Sequence, residues 1–312
     1  MKPDDSSLPL NDLAAVERQA KDLLNRAAAW GRFPTPVEDI LSAANLRVAP
    51  KGMFDPAAFL AFIKKKTVQA AQTLKSALSK VLGLYDANEQ IIHIDERVGA
   101  SKQTFLKLHE TGHHQLPTHR KIFQLFQDCE QTLAPNIADH FEREANNFAR
   151  FALFQGGAYG QMAADMPMGL RTPITLSKKF GASIYASARE FARTNHRACL
   201  VYVLEPMQIS PGIPAFADVR RIEASPSFAL QFGVPRFERI EACHALGDLL
   251  PIGRKMTRPT QLLYSDRNGD THECLGEAFD TTHNVLLLIY PVKGFAVSII
   301  ASSQYPRIFL GS

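Results

Sequence analysis

The sequence predicts an α+β protein with a mainly helical N-terminal part and a C-terminal part rich in β-strands. Before Cys199, apolar residues recur at the helical spacing of three and four. After Cys199, short apolar runs typical of strands alternate with loops rich in proline. The chain has 312 residues, 46% hydrophobic and 21% charged, which is the size and composition of a folded protein of two or three domains.

We expect three parts along the chain. Residues 1–155 form a mainly helical domain with a small sheet, residues 156–197 form a unit with the helix-turn-helix pattern, and residues 198–312 form an α+β domain. The segment 155–169, with several glycines and a proline, predicts a loop or linker between the first two parts.

The first domain is expected to begin with helices. Apolar residues between Leu13 and Trp30 keep helical spacing, and Pro34-Thr35-Pro36 ends that helix and opens a shorter one. A long helical stretch follows, in which Lys64–Lys66 is typical of a solvated face. The later predicted elements of this domain are the helix from about Pro56 to Leu82, the strand Ile91–Ile94, a helix around 105–116 and a helix over Ala138–Phe154.

The second and third parts differ in their periodicity. Leu176–Ser183 with Gly181, followed by Ile184–Phe191, predicts the two helices and short turn of a helix-turn-helix. The last part carries apolar runs of strand type at Leu200–Leu204, Val285–Tyr290 and Phe295–Ala301.

Charge and cysteine usage narrow the functional classes. A net charge of +4 permits a nucleic-acid or acidic partner without arguing for one. Met1–Asn11 lacks the apolar run of a secretory signal, and no run of about 18 apolar residues predicts a membrane span. The four cysteines lack metal or disulfide spacing and are typical of reduced thiols. We therefore expect a cytoplasmic protein without membrane contact.

The pentad His109-Glu110-Thr111-Gly112-His113 is the most informative motif. Two histidines four residues apart share one helix face, so their neutral imidazoles can hold one Zn²⁺ ion per chain. Glu110 is placed to accept a proton from a water molecule that the cation acidifies. Glycine costs a helix about 1 kcal/mol relative to alanine, which predicts close approach of a substrate or another backbone at Gly112. The pattern is typical of a metalloprotease.

A catalytic zinc ion takes three protein ligands, so a third must be found. His119 has the spacing of the extended motif H-E-x-x-H-x-x-G-x-x-H, but Leu116 stands where that motif needs glycine. His114 faces away from the ligand pair, and His140 is a competitor on the next helix. Both are more typical of ordinary polar positions.

A carboxylate on the next helix is the better candidate. Glu142 completes a two-histidine, one-glutamate set of the kind used in hydrolysis. Glu144 is the alternative, and because it sits about 200° round the helix from Glu142, only one of the two can face the metal. Asn146, one turn after Glu142, is expected to hydrogen-bond that carboxylate or the motif helix.

These segments together resemble the ImmA/IrrE family of zinc metallopeptidases. The pentad is similar to the family's H-E-L-G-H motif, and Glu142–Ala149 is similar to its E-x-x-A-N-x-F-A motif. Thr111 departs from the aliphatic residue that is usual there, and residues 56–82 resemble an insertion. Other similar segments are Pro36–Val48 with the opening helix and strand, Gln90–Asp95 with the strand before the motif helix, and Leu176–Phe191 with the helical pair after the catalytic domain.

The resemblance implies that residues 1–155 are a zincin-like metallopeptidase domain. It places zinc on His109, His113 and Glu142, with Glu110 as general base. It implies a gluzincin-like endopeptidase that cleaves a helix-turn-helix transcriptional repressor and so switches on stress-response or mobile-element genes. The layout is similar to the IrrE type, so residues 198–312 are expected to be a GAF-like sensor or regulatory domain. An extended substrate is expected to pair with the edge of the strand Ile91–Ile94.

A DNA-binding regulator with a structural or degenerate zinc site is the alternative. The segment 171–197 is basic and could contact phosphates or dock a repressor. A second metal site built from Cys243-His244 and His272-x-Cys274 fits no standard zinc pattern. The basic residues of this segment are Arg171, Lys178, Lys179, Arg189, Arg193 and Arg197, and the phenylalanines expected in the C-terminal core are Phe228, Phe232 and Phe237.

Overall fold

The computed structural model describes residues 5–49, 83–86, 90–94, 98–119, 135–210 and 212–293. The helix expected over 56–82 and the strand expected over 295–301 lie outside these residues. The described chain has an α+β fold, as the sequence predicts, and it divides into two compact units, Met1–Thr194 and Asn195–Ser312. The finer division into three parts stays a prediction.

The first unit is mainly helical and carries a small sheet. Its helices are α1 (Leu10–Arg26), α2 (Val37–Ala43), α3 (Ala100–Gln115), α4 (Pro135–Leu153), α5 (Ala158–Ala164), α6 (Arg171–Phe180) and α7 (Ile184–Thr194). Its strands are β1 (Arg47–Val48), β2 (Gly83–Asp86) and β3 (Ile91–Ile94).

Helix α1 ends earlier than the apolar spacing predicts. The periodic pattern continues to Trp30, but the helix stops at Arg26 because Ala28 has a positive φ of 45°, outside the right-handed helical region. Trp30 is 40% exposed and lies beyond the helix. Its indole Nε1 donates a hydrogen bond to the side chain of Asn25.

Helices α1 and α4 pack against each other and form the core of the first unit. The apolar stripe expected on α4 is buried, and so is the stripe of α1. Removing the side chain of a phenylalanine such as Phe148 from water contributes roughly 1.5–3 kcal/mol to the stability of the fold. The buried residues of α1 are Val16, Ala20, Leu23 and Leu24, and those of α4 include Phe141, Ala145, Phe148 and Ala152.

The small sheet has the strand order β1-β3-β2, so β3 is the central strand. Arg47 and Val48 of β1 pair in parallel with Ile91 and Ile92 of β3. On the other side, β2 pairs with β3 in antiparallel fashion over all four residues of each strand. The sequence places this strand correctly before the motif helix.

The loop or linker expected at 155–169 contains a helix, α5, which the glycines and the proline of the segment gave no reason to expect. The helix forms because Tyr159 and Ala163, four residues apart, are both fully buried. The Tyr159 hydroxyl donates to the main-chain oxygen of Ser187 in α7 at 2.7 Å. Helices α6 and α7 form the expected helical pair, and Gly181 ends α6 with a left-handed φ of 73°.

The second unit is built on an antiparallel sheet of seven strands. Six of them lie in the order β5-β6-β4-β10-β9-β8, and β7 pairs with β6. Its helix is α8 (Pro226–Gln231), and its strands are β4 (Leu200–Leu204), β5 (Gln208–Ser210), β6 (Ile213–Ala224), β7 (Arg239–Glu241), β8 (Thr260–Ser265), β9 (Thr271–Asp280) and β10 (Val285–Pro291).

The central strands β4 and β10 are buried along most of their length, which explains their nearly continuous apolar sequences. Helix α8 begins at Ser225, whose side-chain oxygen accepts a hydrogen bond from the Phe228 amide. Phe228 and Phe232 belong to the core as expected, whereas Phe237 is 40% exposed. No helix of the described chain has the length and apolar character to cross a membrane.

Candidate metal centre

Helix α3 carries the pentad in its C-terminal half, where every residue from Leu108 to His114 is buried. The helix packs closely along α4 at Gly112. A Cβ at Gly112 would lie 3.1 Å from the Cβ of Phe148 and 3.2 Å from the Cα of Ala145. The close approach expected at Gly112 is therefore made by the backbone of α4. The same helix carries the two candidate carboxylates, Glu142 and Glu144.

The structure brings His109, His113 and Glu142 together, as expected. The two imidazole Nε2 atoms lie 3.2 Å apart. A carboxylate oxygen of Glu142 lies 3.3 Å from Nε2 of His109, and the other lies 3.5 Å from Nε2 of His113. Among the described residues, these three form the group of histidine, cysteine and acidic side chains that could hold a metal ion.

The spacing of these donor atoms fits zinc. With Zn–N and Zn–O distances of roughly 2.0–2.2 Å, the corners of a coordination tetrahedron lie about 3.3–3.6 Å apart. The three observed separations, 3.2, 3.3 and 3.5 Å, are close to that range. The Glu142 side chain is 45% exposed, whereas the two imidazoles are buried, so the group is open to solvent on the glutamate side.

The three groups share protons unequally in the metal-free protein. Burial disfavours a charged imidazole, but the Glu142 carboxylate outweighs burial and raises the pKa of His109 to about 8. For His113 burial prevails, assisted by the nearby His109, and its pKa is lowered. Burial opposes ionisation of Glu142, yet the two imidazoles hold the pKa of its carboxyl well below the usual range.

His119 contacts the ring nitrogen of His113 that does not face the other two members of the group. Nδ1 of His113 lies 3.1 Å from Nδ1 of His119, and Nε2 of His119 lies 2.8 Å from a carboxylate oxygen of Glu144. The His119 ring stacks on Phe141 of α4 at a centroid separation of 4.0 Å. These residues form a chain, His113–His119–Glu144, that we call the histidine relay.

The relay assigns the protons of its imidazoles. Burial, followed by the nearby His113, lowers the pKa of His119 to about 4, so this ring is neutral at neutral pH. Its single N–H donates from Nε2 to Glu144, which leaves Nδ1 to accept the Nδ1–H of His113. The lone pair of His113 is then on Nε2, the atom that faces His109 and Glu142.

The structure distinguishes the candidates for the third position. Glu142 joins the histidine pair, whereas Glu144 turns to His119, as the angle between the two positions requires. His119 contacts a ligand candidate rather than joining the group, a role that the sequence analysis missed. His140 lies 3.7 Å from Glu144, and His114 is buried outside the group.

Asn146 interacts with the motif helix and with the main chain of Asp5. Its side chain interacts with the His109 imidazole, which is one of the two alternatives expected for it. Its amide nitrogen donates to the main-chain oxygen of Asp5 at 2.8 Å, a contact that the sequence gave no reason to expect.

Glu110 and Thr111 are both buried within α3. Glu110 is 8% exposed, and its charge is one of the contributions that raise the pKa of His109. The Thr111 hydroxyl donates to the main-chain oxygen of Lys107 at 2.7 Å, so the residue is accommodated without exposure. The departure from an aliphatic residue at this position therefore concerns packing.

The expectation that a substrate adds to the edge of β3 is wrong over Ile91 and Ile92. Both sides of these residues are already paired, with β1 on one side and β2 on the other. A strand with neighbours on both sides has no free main-chain groups for a third strand. Addition of another strand at Ile91 and Ile92 is therefore excluded.

Most of α7, the second helix of the pair, is buried. A recognition helix places exposed side chains in the major groove, but α7 is buried from Ser187 to Ala192, including Arg189. The guanidinium of Arg193 donates to Ser6. The exposed basic residues of the pair lie on α6 and are Arg171, Lys178 and Lys179.

The second metal site considered for the C-terminal unit does not form. Nε2 of His272 lies 2.9 Å from a carboxylate oxygen of Asp266. Nδ1 of His244 accepts the Leu246 amide. Cys274 is buried and Cys243 is exposed, and neither joins a metal-binding group among the described residues.

Similarity to known proteins is found among solved structures. No protein-family model and no curated protein matches the sequence. Among solved structures, a Mycobacterium tuberculosis transcriptional regulator matches with 10% sequence identity and a TM-score of 0.48. The match covers 88% of this chain and 75% of that chain. At this identity and TM-score, the likeness carries no argument about function.

Proposed function

We propose that this chain is a zinc-dependent endopeptidase of the ImmA/IrrE type, with residues 1–155 as its catalytic domain. The observation that carries the proposal is the group of His109, His113 and Glu142, whose donor atoms have the spacing of zinc ligands. The pentad supplies the other requirement of this chemistry, a carboxylate adjacent to a ligand, in Glu110.

In this proposal His109 and His113 each give an Nε2 lone pair, and Glu142 gives a carboxylate oxygen. A bound zinc ion would acidify a water molecule and polarise the scissile carbonyl. Glu110 takes the proton of the attacking water on its carboxylate and returns it to the leaving amine. His119 and Glu144 keep His113 in the tautomer that leaves Nε2 unprotonated.

We further propose that the substrate is a protein, and specifically a helix-turn-helix transcriptional repressor. This part rests on the resemblance of the two sequence motifs. It is tested by incubating the purified protein, with and without a chelator, with the helix-turn-helix repressor encoded nearest to its gene. Mass spectrometry should detect one discrete cut that the chelator abolishes, and an intact repressor under all conditions would remove this substrate assignment.

Two variants distinguish the role of the zinc ligand Glu142 from that of the general base Glu110. Glu110→Gln should retain one zinc ion per chain and a normal thermal unfolding midpoint but lose cleavage by at least about a hundredfold, as expected for a general base. Glu142→Ala should lose zinc as well as cleavage. Cleavage by Glu110→Gln at the rate of the unaltered protein would remove the assignment of Glu110.

A further inference from the structure

A segment that precedes α1 lies along α4, close to the metal-ligand group. The side-chain amide of Asn146 donates to the main-chain oxygen of Asp5, and that of Asn147 donates to the main-chain oxygen of Ser6, both at 2.8 Å. Two adjacent amides on the helix thus hold two adjacent peptide carbonyls. Contacts of this kind bind a peptide main chain whatever its sequence.

Two arginines add contacts to side chains of the same segment. Nε of Arg143 lies 3.5 Å from a carboxylate oxygen of Asp5. The guanidinium of Arg193, on α7, donates to the Ser6 hydroxyl at 2.9 Å. We call these four side chains the peptide cleft, and they are Arg143, Asn146, Asn147 and Arg193.

The peptide cleft adjoins the metal-ligand group. Asn146 is one helical turn beyond Glu142, and its side chain interacts with the His109 imidazole. The exposed carboxylate of Glu142 marks the side on which the group is open. A peptide held by Asn146 therefore lies next to the atoms that would hold zinc.

The two asparagines are buried with the segment in place. Asn146 is 5% exposed and Asn147 is fully buried. Departure of Asp5 and Ser6 would remove one acceptor from each amide, although the Asn147 amide would keep its hydrogen bond to the main-chain oxygen of Arg143 at 2.9 Å. Another peptide carbonyl can replace the acceptor that is lost. The peptide cleft presents donors that any polypeptide main chain can satisfy.

We propose that the peptide cleft is a substrate subsite for a peptide with an acidic residue followed by a hydroxyl residue, and that Asp5–Ser7 occupies it as an intramolecular competitor. Naming the displacing peptide as substrate rests on the proposed endopeptidase function. The acidic preference comes from Arg143 and the hydroxyl preference from Arg193. The segment's own hydrogen bonds, from Ser7 to the Asp5 carboxylate, fix its shape.

The test is a binding measurement in the Glu110→Gln chain, where a peptide stays intact. The release variant carries Asp5→Arg and Ser6→Arg, which place cations against Arg143 and Arg193. The control carries Asp22→Arg and Ser42→Arg, which make the same charge changes at exposed positions of α1 and α2. The probe is a fluorescein-labelled peptide with the sequence of residues 2–9, followed by fluorescence anisotropy.

We expect the release variant to bind the probe at least ten times more tightly than the control. Adding Asn147→Ala to the release variant should abolish that gain, and so should replacing both aspartates of the probe with lysine. Equal affinity in the release and control variants overturns the proposal.

A second measurement covers loss of folding in the release variant. In the Glu110→Gln chain without further changes, a saturating concentration of probe should increase hydrogen exchange at the amides of residues 5–8. Unchanged exchange at those amides overturns the proposal. Neither measurement uses turnover. If the probe binds as expected but the unaltered chain cleaves no protein, the peptidase function is removed and the peptide cleft stays. If the unaltered chain cleaves a protein but the release variant shows no gain in binding, only the peptide cleft is removed.

Discussion

His109 and His113 are the same type of side chain, yet they hold protons differently in the metal-free protein. Glu142 raises the pKa of His109 to about 8, against the effect of burial. The pKa of His113 is lowered by burial and by the neighbouring imidazole. The proton shared by the group therefore resides on His109 at neutral pH, and zinc must displace it there.

We expect this difference to be visible in a titration of the metal-free protein. Nuclear magnetic resonance of the imidazole Cε1–H signals should give a pKa above 7 for His109 and a pKa near 4 for His119. Because His109 is charged below its pKa, zinc affinity should fall about tenfold for each pH unit below 8. Glu142→Gln should lower the pKa of His109, since burial is then opposed only by the smaller contributions of Glu110 and Asn146. A pKa of His109 below 6 in the unaltered protein would contradict the ion pair.

The histidine relay gives a prediction about zinc affinity. Without His119, the Nδ1–H of His113 loses its acceptor, and the ring is no longer held in one tautomer. Loss of such a support typically weakens metal affinity about 10–100-fold. We expect His119→Ala to show this loss in a chelator competition assay and His119→Gln, which retains an acceptor, to restore part of it.

His140→Ala is the matched control for the relay. His140 lies 3.7 Å from Glu144, but the ring that contacts Nδ1 of His113 is that of His119. Its zinc affinity should equal that of the unaltered protein. The same loss in both alanine variants would show that the effect belongs to the surroundings of Glu144 and not to His119.

At the scale of elements, α3 and α4 supply the candidate ligands from two helices, so their separation sets the geometry. Gly112 permits the close separation, since a Cβ there would lie 3.1 Å from the Cβ of Phe148 and 3.2 Å from the Cα of Ala145, and α4 would have to shift by a few tenths of an ångström. The glycine reduces the intrinsic stability of α3 by about 1 kcal/mol, and the closer packing offsets that cost.

Gly112→Ala should therefore lower both stability and zinc affinity. Overpacking costs typically 1–3 kcal/mol, which exceeds the roughly 1 kcal/mol gained in helix propensity, because a contacting atom belongs to the α4 backbone. We expect a lower thermal unfolding midpoint and at least tenfold weaker zinc binding. Lys102→Ala, at an exposed position of the same helix, should leave both unchanged. A Gly112→Ala protein more stable than the parent would show that α4 moves away freely.

At the scale of the whole molecule, the two compact units have separate cores. The second unit buries its own set of apolar residues on strands β4 and β10 and on α8. The candidate metal ligands all lie in the first unit. Metal binding and the sheet of the second unit therefore depend on different parts of the chain.

We expect residues 195–312, produced alone, to give the circular dichroism spectrum of a β-rich protein and a cooperative thermal transition. The full chain should hold one zinc ion by metal analysis, and residues 195–312 should hold none. Two zinc ions per full chain would contradict this prediction and would revive the site of Cys243, His244, His272 and Cys274.

The sequence by itself determined what depends on residues close together in the chain. Four-residue spacing puts His109 and His113 on one helix face, and apolar periodicity predicted α1, α4 and the α6–α7 pair. The helix α5 was missed because its glycine-rich surroundings predict a loop, while the burial of Tyr159 stabilises a helix there. Such burial depends on neighbours that no local pattern shows.

Only the tertiary structure decided which partners meet across the chain. The rotation of α4 selects Glu142 over Glu144 for the metal-ligand group and gives Glu144 to His119. Pairing on both sides of β3 excludes substrate addition at Ile91 and Ile92. The hydrogen bonds of Asn146 and Asn147 hold the segment before α1 against α4, next to the metal-ligand group. These outcomes follow from helix rotation, strand order and chain path, which are set by packing between segments distant in sequence.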